Sequence, residues 1–314
     1  MLRRSKPSLS GATAWLNSNP GDLSDLRGHA VLVDFWTFTC INWLRTVAHV
    51  RAWADAYQND GLFVVGIHTP EFSFEHDLDS VRTAIRERGI DYPVAADNDY
   101  TIWKSFDNHY WPALYFVDTN GAVRGHHFGE GSYAQSERTL QRLLGVQRDL
   151  STVVGTGVEA AADWPNLRSP ETYLGYARRD NFTSTPISGR APAKTHGRTP
   201  ELRLNHWMLQ GAWNSLPEKV VLTEPDGRIL FRFHARDVHL VLRTADREPV
   251  PFRVLIDGEP PTRSHGEDVD TGGYGVVRDG RLYQLVRQIG SVRENTLEVT
   301  FSTAGVEAYV FTFG

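Results

Sequence analysis

The chain has 314 residues, of which 40% are hydrophobic, and a formal net charge of −5. A chain of this length can bury substantial cores and forms two domains more often than one. The charges are interspersed, without the basic block that would follow a phosphate backbone, and no apolar run is long enough to span a bilayer. We therefore expect neither nucleic acid nor a membrane as a partner.

The sequence contains one cysteine, Cys40. A lone cysteine cannot form a disulfide within the chain, so nothing in the composition requires an oxidising compartment. The first 20 residues include basic side chains but lack the apolar segment and cleavage site of a signal peptide. We expect a cytoplasmic protein, or an extracytoplasmic one if a leader precedes the given sequence.

Helix and strand patterns alternate in the first half of the chain. A nearly continuous apolar run at 30–36, AVLVDFW, predicts a buried strand. Apolar spacings of three and four predict an amphipathic helix over 41–57, which starts at or just after Cys40. Further patterns predict a strand at 62–68, a helix at 80–87, a hairpin of 113–118 with 123–128, and a helix at 133–144. This order indicates an α/β thioredoxin-like domain, which we place at residues 1–146.

The second half has a different character. A polar stretch at 147–168 is predicted to be a linker, and a tract rich in Pro, Gly, Ser and Thr at 183–200 a long loop. Beyond residue 201, short runs alternate apolar and polar residues between turn signals such as PDG and DG. These runs predict an all-β jelly-roll sandwich domain over residues 169–314, with strands at 219–223, 229–234, 238–242, 252–256, 281–286, 297–301 and 308–313.

Cys40 lies at the predicted start of a helix, among residues that suit thiol chemistry. Only the thiolate is nucleophilic, and the dipole and unpaired N–H groups of a helix N-terminus lower the pKa of a thiol there. Asp34 lies in the apolar strand, where an unpaired carboxylate is costly, and is a candidate proton acceptor. A cis proline at Trp111-Pro112 would place that loop beside the cysteine.

Each of these residues also has a purely structural interpretation. A lone buried cysteine is usually an inert core residue. The carboxyl group of Asp34 could be satisfied by local hydrogen bonds, and Pro112 is structural under every hypothesis. Trp43 is predicted to be a core residue of the first helical turn, with an exposed edge that could shield the thiol.

Several segments resemble the TlpA/DipZ-like redoxins. These segments are VLVDFWTFTCIN, with the acid, the Phe-Trp pair and the cysteine in register, GIHTPEF, DNDYTIW and NHYWPALYFVD. SPETYLGY, at residues 169–176, and the C-terminal AYVFTFG resemble the carbohydrate-binding-module-like jelly roll that is fused to DipZ-type domains. The resemblance implies thiol–disulfide exchange, with Cys40 as nucleophile, Asp34 as buried acid and Pro112 as the cis-proline.

The family motif Cys-x-x-Cys is replaced here by Cys40-Ile-Asn-Trp43. Without the second thiol the chain cannot resolve a mixed disulfide internally, which leaves three interpretations. Cys40 acts as a monothiol whose mixed disulfide is resolved by an external thiol. It reacts with a peroxide to give a sulfenic acid, since Thr37 provides a weak Thr-x-x-Cys match to a peroxiredoxin site. In the third interpretation, the domain has lost its catalytic activity and serves in binding or assembly.

Four residues within or next to the resembling segments are candidates for contacting a substrate, namely Trp36, His68, His109 and Glu71. The two histidines are of interest only if the fold brings them close to the cysteine. The histidines lie in separate segments without the spacing of a shared ligand face, so we predict no metal and no cofactor. The expected partners are an external thiol reductant and a disulfide or peroxide substrate.

The predicted jelly roll contains aromatic side chains of the kind that stack on sugar rings. A glycan or other small ligand is therefore a candidate partner, although most such aromatics are core or interdomain residues. The second domain could instead cover the face of the first that carries the thiol. The aromatic candidates are Trp164, Tyr173, Tyr176, Trp207, Trp213 and Tyr283, with Asp268, Arg287 and His265 as polar candidates.

Overall fold

The computed structural model describes residues 7–183, 201–246 and 248–314. Beyond its first residue, the loop predicted at 183–200 lies outside these ranges. The chain forms two compact units, Met1–Ala160 and Ala161–Gly314. The first unit extends past the predicted boundary at residue 146 because the following segment is bonded to it. Glu159 accepts hydrogen bonds from Arg51 and Arg88, each at 3.3 Å.

The first unit is a six-stranded mixed sheet with helices, in the strand order β1-β4-β3-β2-β5-β6. Strands β2, β3 and β4 are parallel, and the other neighbours are antiparallel. This is the thioredoxin-like α/β fold that the sequence predicted. Its elements are β1 Ala14–Leu16, β2 Ala30–Trp36, α1 Ile41–Tyr57, β3 Leu62–His68, α2 Leu78–Glu87, β4 Val94–Ala96, α3 Thr101–Ser105, β5 Ala113–Val117, β6 Val123–Phe128 and α4 Tyr133–Leu144.

The central strands of this sheet are covered on both faces. Phe35 of β2 packs in one cluster with the α3 residues Ile102 and Trp103. On the opposite face, Trp36 stacks on Trp43 of α1, with ring centroids 4.2 Å apart. Burial on both faces explains why β2 is almost entirely apolar in sequence.

The strand directions bring three loops to one edge of the sheet. β2 and β3 are parallel and in register, with Trp36 opposite His68, so the segments that follow them begin side by side. β5 is antiparallel to β2, with Ala113 opposite Phe35, so the segment that precedes β5 ends at the same edge. This arrangement places the loop before Cys40, the loop after His68 and Pro112 together.

The second unit is a β-sandwich, in agreement with the predicted all-β class. One sheet has the order β15-β12-β17-β10-β9, with β7 also paired to β17, and the other has the order β14-β13-β16-β11-β8. Buried residues from both sheets form one cluster. The strands are β7 Thr172–Tyr173, β8 Trp207–Gln210, β9 Trp213–Ser215, β10 Val220–Leu222, β11 Gly227–His234, β12 Asp237–Thr244, β13 Val250–Ile256, β14 Tyr274–Val277, β15 Arg281–Arg287, β16 Glu294–Phe301 and β17 Val306–Phe313.

Candidate functional site

Cys40 is the N-cap residue of α1, directly after the loop that ends β2. Its backbone is extended, with φ −75° and ψ 113°, and its carbonyl oxygen accepts the N–H of Leu44. The residue is partly exposed, whereas the two residues before it are buried. A thiol at this end of a 17-residue helix is close to unpaired N–H groups and to the positive end of the helix dipole, both of which favour the thiolate.

The loop before β5 lies beside this thiol. The Trp111–Pro112 peptide is cis, and the carbonyl oxygen of Trp111 lies 3.8 Å from the Sγ of Cys40, within range of a weak S–H hydrogen bond. The indole Nε1 of Trp111 donates to the carbonyl oxygen of Thr69 at 3.0 Å. The structure therefore brings Cys40, Trp111 and Pro112 together.

Asp34 lies beneath this edge in the middle of the sheet and is completely buried. Its Oδ2 accepts a hydrogen bond of 3.3 Å from the indole Nε1 of Trp43. Burial raises the pKa of Asp34 from 3.8 to about 7, because this single bond offsets only part of the desolvation of the charged form. The carboxyl group therefore exchanges a proton near neutral pH.

Trp43 stands where the family motif has its second cysteine, and its side chain points into the core. The indole is fully buried between α1 and the sheet. The predicted exposed edge is therefore wrong, because stacking on Trp36 and bonding to Asp34 draw the ring inward. In this position Trp43 cannot cover Cys40 from the solvent side.

Two of the four residues predicted to contact a substrate are closed to solvent. Trp36 and His68 are both fully buried, and their rings meet edge to face at 4.8 Å. Burial also lowers the pKa of His68 to about 3, so its ring is neutral at physiological pH. Neither residue presents a face to a substrate, because each side chain points from its strand into the α1 face of the core.

The other two candidates lie nearer the surface. The His109 side chain is 70% exposed, and its Nε2 lies 3.5 Å from the exposed carboxylate of Asp107. Glu71 is partly exposed, and its backbone N–H donates to Glu75. Thr37 is completely buried and so presents no surface to a peroxide.

Sequence reasoning missed Glu75, a fully buried carboxylate of the 3-10 turn Ser73–His76. Its Oε1 accepts the hydroxyl of Thr39, the residue before Cys40, at 2.5 Å. The available signal was an acid directly after two closely spaced phenylalanines, in the sequence FSFE. That signal does not identify a partner 36 residues earlier in the chain.

The aromatic candidates of the sandwich do not share one surface. Trp207, Trp213 and Tyr283 are buried in its core, whereas Trp164 and Tyr176 are more than half exposed. The polar candidates already have partners in the protein. Asp268 pairs with Arg281 at 2.5 Å, and Arg287 pairs with Asp237 at 2.6 Å. His265 lies 2.8 Å from the carbonyl oxygen of Gly266. The remaining aromatic candidate, Tyr173, lies under the guanidinium group of Arg178.

The part of the chain that the structure describes contains neither a metal-binding cluster nor a membrane-spanning helix. Within residues 7–183, 201–246 and 248–314, no group of three or more His, Cys, Asp or Glu side chains is arranged to hold a metal ion. In the same ranges, no helix is both long enough and apolar enough to cross a bilayer.

Comparisons with known proteins match both units. Residues 10–126 match the AhpC/TSA family, and residues 169–314 match the thioredoxin like C-terminal domain. DipZ of Mycobacterium bovis and of Mycobacterium tuberculosis is 34% identical over 98% of this chain and 42% of the DipZ protein. The thiol-disulfide oxidoreductase YkuV of Bacillus subtilis is 29% identical over 46% of this chain and 96% of YkuV. A thioredoxin-like protein solved in its oxidized form is 29% identical over 47% of this chain and 100% of that one, with a TM-score of 0.42.

The chain thus combines a thioredoxin-like α/β unit, which matches the AhpC/TSA family, with a β-sandwich unit that matches the thioredoxin like C-terminal domain. More narrowly, the chain is similar to the DipZ proteins over nearly its whole length. It spans less than half the length of those relatives.

Proposed function

We propose that the protein is a thiol redox protein that works through Cys40 alone. The observation that carries this proposal is the placement of a partly exposed thiol at the start of α1, beside the carbonyl oxygen of Trp111. Similarity to DipZ and to the thiol-disulfide oxidoreductase YkuV supports the reaction class. The sole cysteine in the sequence limits the chemistry to one-thiol steps.

With a disulfide substrate, the Cys40 thiolate attacks one sulfur and the other sulfur leaves as a thiolate. The product is a mixed disulfide between Cys40 and the substrate. An external thiol then attacks this mixed disulfide, forms a disulfide with the substrate sulfur and releases the Cys40 thiolate. Overall, the external thiol is oxidised, one substrate sulfur is reduced to a thiol, the other substrate sulfur ends in a disulfide with the external thiol, and Cys40 is regenerated.

With a peroxide, the thiolate attacks one oxygen and the O–O bond breaks. Cys40 becomes a sulfenic acid, and the second oxygen leaves as an alcohol or water after protonation. One external thiol condenses with the sulfenic acid to give a mixed disulfide and water, and a second external thiol releases Cys40 as before. The AhpC/TSA match over residues 10–126 supports this branch.

The first test is the pH dependence of Cys40 alkylation by iodoacetamide in the native protein, read by mass spectrometry. We expect an apparent pKa well below the value of about 8.5 for a free thiol, because of the helix N-terminus. A sulfenic-acid adduct after brief peroxide exposure would support the peroxide branch. The Cys40→Ser variant shows how much labelling occurs elsewhere.

Alkylation that requires unfolding would overturn the redox proposal. In that case the protein would be a binding or scaffold protein, and exposed aromatics of the second unit such as Trp164 and Tyr176 would be the first place to search for a ligand.

A further inference from the structure

The carboxylate of Glu75 uses both of its oxygens in the buried interior. Oε1 accepts the hydroxyl of Thr39 at 2.5 Å, and Oε2 accepts the backbone N–H groups of Glu71 and Phe72 at 2.5 and 2.9 Å. A buried carboxylate is costly unless such bonds compensate for its lost hydration. Because three donors bond to this fully buried carboxylate, we regard it as a specific hydrogen-bonded contact between two loops.

These bonds connect the loop after β3 to the loop that carries the cysteine. Thr39 directly precedes Cys40, so Glu75 fixes the segment on one side of the thiol. Thr69, in the same loop as Glu75, accepts the indole N–H of Trp111, whose carbonyl oxygen lies on the other side of the thiol. One loop thus holds both neighbours of the Cys40 side chain.

We propose that Glu75 is a positioning residue that acts on Cys40 through the hydroxyl of Thr39. This inference rests on the proposed function, since it concerns the reactivity of the Cys40 thiol. The contact keeps the extended N-cap geometry of Cys40, so that Sγ stays close to the first turn of α1. Loss of the contact frees the loop and moves the thiol away from the groups that favour its charged form.

The charge of Glu75 is suited to this task. Burial raises the pKa of Glu75 to about 7, an effect that the bonds from Thr39 and Phe72 limit and that the nearby charge of Glu71 increases. Above pH 7 the carboxyl group is ionised and accepts all its bonds. The contact is therefore complete on the alkaline side of pH 7.

Thr39→Val is the informative variant. Glu75→Gln would remove the buried charge and alter the bonds to Thr39 and to two backbone N–H groups at once, so its effect on Cys40 could not be assigned to the Thr39 contact. Thr39→Val removes only the hydroxyl and leaves the two backbone bonds of Glu75. We expect the alkylation profile of Cys40 to move to higher pH, with a rate constant near pH 7 about twofold to fivefold lower, the size of a helix-terminus effect. Thr39→Ser, which keeps the hydroxyl, should restore the profile.

Thr46→Val is the matched control. Thr46 is also a buried threonine, six residues after Cys40 on α1, but its hydroxyl bonds to the carbonyl oxygen of Asn42 and to Tyr133. Both valine variants should lower the thermal midpoint, and only Thr39→Val should move the pH profile of Cys40. An unchanged profile in Thr39→Val, or an equal shift in Thr46→Val, would overturn the positioning role. If Cys40 is unreactive in the unmodified native protein, the proposed function itself fails.

Discussion

Trp43, in place of the second cysteine of the family motif, changes the surroundings of the buried carboxyl group of Asp34. The indole that replaces the second cysteine supplies the buried carboxyl group with a hydrogen-bond donor. Because an indole N–H only donates, Trp43 cannot take a proton from the substrate side or pass one to Asp34. Trp43 therefore offers Asp34 no route for a proton, and the role of Asp34 as a proton acceptor stays a prediction.

The Asp34→Asn variant should change how stability depends on pH. The folded state raises the pKa of Asp34 from 3.8 to about 7, so the folded protein binds this proton more tightly than the unfolded chain. Stability is therefore lost as the pH rises from about 4 to about 7. At 1.36 kcal/mol per pH unit, this interval corresponds to about 4 kcal/mol.

At each pH, the quantity of interest is the free energy of unfolding of Asp34→Asn minus that of the unmodified protein. We expect this difference to move in favour of the variant by up to about 4 kcal/mol between pH 4 and pH 8. Urea unfolding at the two pH values measures this difference. Glu75 titrates in the same range in both proteins, so its contribution cancels. The matched control is Asp55→Asn, at an exposed position of α1. If the difference in unfolding free energy between Asp34→Asn and the unmodified protein is the same at both pH values, the prediction is wrong.

At the scale of elements, a buried ion pair connects α1 to the loop after β6. Arg45 and Glu130 lie 2.8 Å apart, and their side chains are 2% and 6% exposed. Gly129, beside Glu130, donates its N–H to the carbonyl oxygen of Pro112 at 2.9 Å. The pair thus holds together the helix that begins at Cys40 and a loop that supports the cis-proline.

Glu130→Gln should be strongly destabilising, because it leaves the charge of Arg45 buried without a counter-charge. We expect a loss of about 3–5 kcal/mol in the free energy of unfolding, measured in urea. Asp79→Asn is the control, since the Asp79–Arg82 pair on α2 is exposed and should contribute about 0–1 kcal/mol. A similar small loss for both variants would show that the Arg45–Glu130 pair contributes little.

Elements long enough to repeat a hydrophobic pattern several times could be predicted from the sequence. The shortest elements could not. α1 and α4, with 17 and 12 residues, have the predicted bounds. β1 and β4 have three residues each, and α3 has five, which is too short for any period to be distinguished. These elements are specified by their partners in the sheet and in the core.

The same reasoning explains what the sequence revealed about the site. Cys40 and the Trp111–Pro112 loop were predictable, since both follow from local pattern and resemblance. The contact of Glu75 with Thr39 was not, because it depends on two parallel strands that place distant loops side by side. The burial of His68 was also missed, since a continuous apolar run does not show which polar residue at its end points inward.

At the scale of the whole molecule, the number of thiols limits the reaction cycle that we propose. Each unit has a hydrophobic core of its own, and neither core contains a second cysteine, because the sequence has only Cys40. A mixed disulfide on Cys40 therefore has no second thiol within the same chain to attack it. Its release must depend on the concentration and pKa of a thiol from outside.

This dependence can be tested with glutathione and a variant that restores a second thiol. We expect the unmodified protein, once carrying one glutathione on Cys40 and freed of excess glutathione, to keep it until an external thiol is added. Trp43→Cys restores the Cys-x-x-Cys spacing at the start of α1, so it should expel the glutathione by forming an internal disulfide. Mass spectrometry over time distinguishes the two products.

Trp43→Ser controls for the space that the indole leaves in the core. Replacement of a buried tryptophan by a small residue costs about 3–5 kcal/mol, and both variants lose the donor to Asp34, so they share the structural damage. Only Trp43→Cys adds a thiol. If Trp43→Ser and the unmodified protein keep the adduct while Trp43→Cys loses it, the single thiol is what makes the cycle depend on an external partner. If the unmodified protein loses the glutathione adduct as fast as Trp43→Cys does, attack by a second thiol does not control its release.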